Sequence, residues 1–264
     1  MSMTNDARAA AAAAALRRKY DLGHAPINDL TDLVEGRMGI DVAVLEMDQG
    51  LDGMVIQDPE TGQRIISVAC TTSMERQRST LAHELGHLEL GDFAQDGVIR
   101  CGVRDDEEIR ADAFARHLLA PREGLLDFLR GLGRAPGSVT EADLSHAVRY
   151  FGVSPMIILI QLDRSNWLAP GQMDGLSTLS VGRLAARHGW GDEHRASQRK
   201  AQMPQPPMRI VAEAMEAYEN NLIGLEAVAG IRGMSAAELQ AELDEYGIHP
   251  KPVAAPLKRF GRRP

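Results

Sequence analysis

The sequence predicts a mixed α+β fold, in which a small twisted β-sheet packs on two helices and an all-helical extension follows. Two changes of pattern support this prediction. Short extended runs bounded by turn residues occupy residues 40–68, and from Ser73 onward the apolar residues recur with the helical period. The chain has 264 residues, which is enough for one large domain or for a medium domain with a small appendage.

The first two predicted elements are helices. Residues 6–20 have high helix propensity. Residues 28–38 follow as a short helix, with Asn28 as the N-cap and Gly39 as the stop signal. Both elements precede the predicted sheet.

Three extended runs are predicted to form that sheet, at residues 40–45, 53–56 and 64–68. The second and third runs flank a turn at residues 58–62 that contains proline and glycine, which predicts a β-hairpin.

Two longer helices come next. The first begins near Ser73 and is ended by Gly91, and the second covers residues 106–119 and is halted by Pro121. The residues that suggest chemistry lie on these two helices.

A His-Glu-x-x-His motif lies within the first of them, at residues 83–87. Four residues make about one helical turn, so His83 and His87 project from one face and can share a metal ion at about 2.0–2.1 Å. Glu84 lies about 100° around the helix from His83, where its carboxylate can reach a water molecule rather than the metal. This is the position of the general base in zinc peptidases, and Glu84 is the predicted catalytic residue.

A catalytic zinc ion needs a third protein ligand and an open fourth position. Metzincins take that ligand from a histidine soon after the motif, but Leu90 and Phe93 stand there, which excludes that class. The next helix offers an alternative, because Glu108 and Asp112 are four residues apart and share a face. We predict that Glu108 is the third metal ligand and that Asp112 accepts the remaining N–H of a liganding histidine. His117 lies about 180° around the same helix from Glu108 and is expected to pack elsewhere.

These segments resemble the ImmA/IrrE family of metallopeptidases, bacterial proteins with a thermolysin-like zinc site. The resemblance rests on residues 76–88, which contain the His-Glu-x-x-His motif, and on the helix from Glu108 to Pro121 with its Glu-x-x-Ala-Asp pattern. It extends over roughly residues 15–165 and joins two separated motifs and a strand pair in the order expected of the family. It implies a minimal gluzincin-like core that holds one Zn²⁺ per chain through the ligands named above.

The resemblance also implies a function. Family members cleave a specific protein, such as a helix-turn-helix repressor, and thereby relieve repression or switch on a stress response, and some resemble the effector halves of toxin–antitoxin pairs. By analogy with thermolysin-like enzymes, the substrate would lie extended against residues 64–68, expected to be an edge strand. His146 and Tyr150 are open alternatives for a donor to the oxyanion, although a helix surface is the more usual place for such residues. A function of another class also stays open, namely a metal-containing binding module that controls its partner by sequestration without proteolysis.

The rest of the chain is predicted to be helical, with one interruption. Thr140 begins a helix pair that resembles a helix-turn-helix, but its second helix, residues 156–162, is apolar and is expected to be buried. Residues 191–209 contain three prolines and little pattern, which predicts a linker. The predicted organisation is a metallopeptidase core at residues 1–135, a helical extension at 136–190, the linker at 191–209, a C-terminal helical module at 210–250, and a basic tail, expected to be disordered, at 251–264.

Charge and composition limit the partners and the compartment. The 37 acidic and 29 basic residues give a net charge of -8, so direct nucleic-acid binding is not expected. Two cysteines cannot form a disulfide framework, and the Ala-rich residues 9–15 lack the basic segment that precedes a signal peptide's apolar core. No run of about 18 apolar residues that could cross a membrane is present. We expect a cytoplasmic protein whose partner is its protein substrate.

Overall fold

The computed structural model describes residues 4–58, 60–92, 98–99 and 106–252, and it has the predicted α+β class. The chain divides into two compact units between Pro204 and Gln205. Most of the predicted basic tail, from residue 253 onward, lies outside the described residues.

The first unit contains a sheet and a set of helices. Its strands are β1 (Asp41–Leu45), β2 (Gly53–Gln57), β3 (Arg64–Ala69) and β4 (Val98–Ile99). Its helices are α1 (Asn5–Lys19), α2 (Leu30–Asp32) with a π-helical continuation (Leu33–Arg37), α3 (Met74–Leu90), α4 (Asp106–Leu119), α5 (Arg122–Gly131), α6 (Glu141–Phe151), α7 (Pro155–Asp163), α8 (Gln172–Ser177), α9 (Val181–Arg187) and α10 (Gly191–Ala201).

The strand order of the sheet is β1-β3-β2-β4. β2 and β3 form the predicted antiparallel hairpin, β1 pairs with β3 in parallel, and β4 pairs with β2 through Val55 and Ile56. The prediction that residues 64–68 form an edge strand is wrong. β3 is hydrogen-bonded on both sides, because the parallel partner β1 occupies the side that the hairpin alone would leave open, and it therefore cannot accept a substrate strand.

The two predicted metal-site helices lie against each other and against the sheet. α3 packs on β2 and β3, and α4 packs against both α3 and α1. Ile66, Leu85 and Phe114 are fully buried between these layers. This core fixes the relative position of α3 and α4.

Local signals in the sequence explain where several helices begin and end. Ser73 is the N-cap of α3, and its side chain accepts a hydrogen bond from the Arg76 N–H at 3.2 Å. Thr140 and Asp143 form a capping box at the start of α6, as expected for a helix beginning there. The N-cap of the short second helix differs from the prediction: Asp29, not Asn28, accepts from the Asp32 N–H.

α7, the apolar second helix of the helix-turn-helix-like pair, is buried as predicted. Ile158, Leu159 and Leu162 have no exposed surface. Met156, in the first turn of this helix, is 42% exposed.

Part of the predicted linker is helical. Residues 191–201 form α10, which packs against α3. The Ala201 carbonyl accepts hydrogen bonds from the Gln77 side chain and the Thr71 N–H, both at 3.0 Å. α10 buries only His194 and Ala201, and two buried positions leave no apolar periodicity for the sequence to display.

The second unit is a small helical module. Its helices are α11 (Met208–Glu219), α12 (Leu225–Arg232) and α13 (Ala236–Tyr246). Its core consists of the buried side chains Ala214, Tyr218, Val228, Ala229, Leu239 and Leu243.

Candidate metal centre

The two histidines of the motif lie on one face of α3 and converge. Their ring centroids are 4.8 Å apart, and the two Nε2 atoms are 3.1 Å apart. His87 is almost completely buried, whereas 14% of the His83 side chain is exposed. One imidazole is thus fixed in the interior and the other borders the solvent.

α4 brings the Glu108 carboxylate to the same point. Glu108 Oε2 lies 3.3 Å from His83 Nε2, and Glu108 Oε1 lies 3.2 Å from His87 Nε2. The predicted ligands therefore meet in space, and together they form a group that can hold one metal ion.

The spacing of these atoms fits a metal ion. Bonds of about 2.0–2.1 Å at tetrahedral angles place ligand atoms about 3.3–3.4 Å apart, close to the three observed distances. Two imidazole nitrogens and one carboxylate oxygen are the donor set of the His₂Glu catalytic zinc sites. Three protein ligands also leave a fourth position for water or substrate.

Small side chains let the two helices approach. A Cβ atom at Gly86, between the histidines, would lie 3.0 Å from the Phe114 ring, so that side chain would have to give by a few tenths of an ångström. Ala111 and Ala115 of α4 are also buried, as expected for a close helix pair.

Glu84 lies beside this group and does not belong to it. It is 1% exposed and packs against the first residue of β2. A Cβ atom at Gly53 would lie 2.7 Å from Glu84 Oε1 and 2.6 Å from a methyl carbon of Thr80. Gly53 is therefore a residue of the site that no sequence pattern reveals, because the requirement for glycine arises from a strand and a helix that are distant in sequence.

Asp112 lies where the prediction places it. Its Oδ1 atom is 2.9 Å from His83 Nδ1, on the side of the ring opposite Glu108. Burial on its own lowers the pKa of His83, but the hydrogen bond with Asp112 and the nearby carboxylates raise it above its ordinary value. Asp112 thus favours the orientation in which His83 presents Nε2 to the metal site.

His87 has a second acidic neighbour that was not predicted. Asp92 Oδ2 lies 3.5 Å from His87 Nδ1, and Arg110 donates a hydrogen bond to Asp92 Oδ1 at 2.7 Å. Burial, followed by the proximity of His83, lowers the pKa of His87 and favours the neutral imidazole that binds metals. The available sequence signal was the position of Asp92 directly after Gly91, the residue that ends α3.

Other residues considered from the sequence lie elsewhere. His117 is buried among packing partners, with Nε2 3.3 Å from Asp6 and Nδ1 3.3 Å from the Gln161 amide. Tyr150 stacks on Phe128 of α5 at a ring distance of 4.6 Å.

The fold and the donor set are those of a metallopeptidase-type domain. Residues 35–163, just under half of the chain, match the family model described as the IrrE N-terminal-like domain of the M78 peptidases, and this match supports the resemblance to the ImmA/IrrE family. A comparison with curated proteins finds no significant match. Among the described residues, no helix combines the length and the apolar character that crossing a membrane requires.

Proposed function

We propose that the chain is a zinc-dependent endopeptidase with one Zn²⁺ held by His83, His87 and Glu108. The observation that carries the proposal is the convergence of two imidazole nitrogens and a carboxylate oxygen at 3.1–3.3 Å. A further carboxylate, Glu84, is close enough to His83 to act on it electrostatically and is not one of the three grouped ligands. The match of residues 35–163 to a peptidase family model supports the same reaction class.

Each side chain has a separate task in the proposed reaction. A bound zinc ion would polarise the scissile carbonyl and increase the acidity of water in the site. Glu84 would accept a proton from the attacking water at its carboxylate and pass it to the nitrogen of the leaving amine. The near-complete burial of Glu84 keeps bulk water from competing for that proton.

A helix-turn-helix repressor or an antitoxin is the proposed substrate, and its cleavage would relieve repression in the cytoplasm. The acidic charge of the C-terminal module supports a basic protein substrate. Residues 205–252 contain eight acidic residues (Glu213, Glu216, Glu219, Glu226, Glu238, Glu242, Asp244 and Glu245) against three basic ones (Arg209, Arg232 and Lys251). DNA-contacting surfaces are basic, so the acidic helices of this module would attract such a surface of a repressor and repel DNA itself, whereas residues 253–264 add four basic residues.

Glu84→Gln tests the proposal. The variant is expected to retain zinc and to lose cleavage of a helix-turn-helix repressor or antitoxin offered as substrate by about 10²–10⁴-fold, since glutamine cannot accept the proton. Intact-mass measurement of the partner provides the readout, and Glu89→Gln, an exposed glutamate of the same helix, is the matched control.

The same experiment addresses the alternative, a binding module that controls its partner by sequestration. In that case Glu84→Gln would release the partner's target genes as well as the wild type does, and the partner would remain intact with both. Cleavage by the wild type alone would exclude sequestration as the mechanism.

A further inference from the structure

The two metal-binding histidines are supported by different carboxylates. Asp112 contacts His83 and has 63% of its side chain exposed. Asp92 lies next to His87 and has only 6% of its side chain exposed. The motif pattern accounts for Asp112 and leaves Asp92 without a role.

We infer that Asp92, held in place by Arg110, is a positioning residue that orients the His87 imidazole toward the metal. The inference rests on the proposed metal site, and it does not depend on proteolysis.

The backbone at the end of α3 brings Asp92 back to His87. Gly91 has a φ of +75°, a left-handed conformation that glycine adopts without the steric penalty of other residues. The N–H groups of Gly91 and Asp92 both donate to the His87 carbonyl, the second at 3.0 Å. Asp92 therefore lies next to His87 at two points. Its N–H donates to the His87 carbonyl, and its carboxylate lies 3.5 Å from the ring nitrogen Nδ1.

Arg110 fixes the carboxylate. Its guanidinium donates to Asp92 Oδ1 at 2.7 Å, which leaves Oδ2 as the atom nearest to His87 Nδ1. Both side chains are largely buried, with 12% of Arg110 exposed. A buried carboxylate is costly unless it is paired, so the guanidinium explains how a charge can be kept beside a buried imidazole.

This arrangement determines which nitrogen of His87 faces the metal site. A proton on Nδ1, the nitrogen that lies 3.5 Å from Asp92 Oδ2, leaves the lone pair of the neutral ring on Nε2, the atom 3.2 Å from Glu108 Oε1. Arg110 is two residues beyond Glu108 on α4. One helix therefore supplies a ligand, supports His83 directly through Asp112, and supports His87 through Arg110 and Asp92.

The test measures metal affinity in the full chain. Zn²⁺ dissociation constants are obtained by competition with a chromophoric chelator, and the visible spectrum of the Co²⁺-loaded protein reports the ligand geometry. Asp92→Ala is expected to weaken zinc binding about 10–100-fold and to shift the Co²⁺ bands. Asp92→Asn preserves the shape of the side chain and the backbone hydrogen bond to His87, so its loss of zinc affinity should be smaller. The control variant Asp127→Ala, which changes an exposed aspartate of α5, should leave zinc affinity unchanged.

A double-mutant cycle separates positioning from general destabilisation. Arg110→Met should weaken zinc binding by itself and add little to Asp92→Ala, because both act on the same imidazole. The losses of zinc affinity caused by Asp92→Ala and Asp112→Ala should be closer to additive, because these two residues act on different histidines. If Asp92→Ala does not fold, as judged by circular dichroism of the metal-free protein, Asp92→Asn and Arg110→Met carry the test.

The outcomes distinguish this inference from the proposed function. Unchanged zinc affinity in folded Asp92→Ala, or strict additivity with Arg110→Met, would overturn the positioning role even if the protein cleaves its partner. A wild-type chain that binds zinc and cleaves nothing would contradict the proposed function and leave the role of Asp92 intact.

Discussion

The first unit of the chain, residues 4–204, and the second, residues 205–252, are both mainly helical, but their hydrophobic cores differ in size. The first buries large side chains from its sheet and helices, and it also buries charged groups with partners. Arg17, for example, is 4% exposed and donates to the carbonyls of Gly23, Ala25 and Leu118, while burial lowers its pKa to about 10. The second has a core of six side chains.

The candidate metal site lies in the first unit, where the larger core is. A site requires side chains held to within a fraction of an ångström, and that precision comes from rigid packing around the residues that form it. A small core supplies little stability beyond the cost of ordering the chain.

The largest expected effect comes from the core of the first unit. Phe114→Ala should reduce the free energy of unfolding by about 3–5 kcal/mol, because the ring is fully buried and fills the space beside Gly86. It should also lower zinc content, since the packing that holds α4 against α3 is lost. Chemical unfolding and elemental analysis measure the two effects, and a variant with full zinc content and normal stability would contradict this account of the site.

The corresponding change in the second unit is Leu239→Ala. We expect it to cost about 2–5 kcal/mol, enough to unfold so small a module, while the zinc content stays unchanged because every site residue lies in the first unit. Limited proteolysis followed by mass spectrometry would locate the loss of structure. Cleavage of the first unit as well would show that the two units do not fold separately.

Gly53→Ala tests whether the space beside Gly53 is needed to position Glu84. The added methyl group would displace Glu84 and leave the three ligands in place, so zinc should remain bound while turnover falls about 100-fold. Parallel measurement of zinc content and of partner cleavage tests this expectation. The matched control is Gly131→Ala, where a Cβ atom would meet nothing within 4 Å. Equal turnover in the two variants would show that the site does not require glycine at position 53.

The smallest expected change in the free energy of unfolding comes from the capping boxes, of which each unit has one. Burial on its own would raise the pKa of Asp143, but hydrogen bonds from Thr140 and the Arg134 guanidinium hold it below its ordinary value. A carboxylate with a lowered pKa stabilises the fold above its unfolded pKa, and this contribution disappears as the pH falls through the folded pKa. Asp143→Asn should therefore cost about 1 kcal/mol at pH 7, and the difference from wild type should narrow below about pH 4.

Glu238→Gln changes the corresponding residue of the second unit, which is exposed, and should have a smaller effect. Urea unfolding of both variants at several pH values gives the comparison. A stability difference for Asp143→Asn that does not depend on pH would mean that the charge of Asp143 is not responsible.

The site was predictable to the extent that its pattern is local. His83, His87 and Glu84 occupy one helix, and Glu108 and Asp112 occupy another, so the helical period alone places each set on a face. The strand hairpin and the start of α3 at Ser73 also follow from short-range signals. The interior position of β3 does not, because it depends on parallel pairing with a strand about twenty residues earlier.

The sequence by itself determined the α+β class, several helix limits set by caps and glycines, and the residue types of the candidate metal ligands, because these depend on neighbours within one or two turns of chain. Only the tertiary structure decided that Gly53 must leave room for Glu84, that Asp92 and Arg110 support His87, and that α10 packs on α3. These relations join residues that are distant along the chain, and their energies arise from burial, close contact and charge pairing that exist only in the folded state.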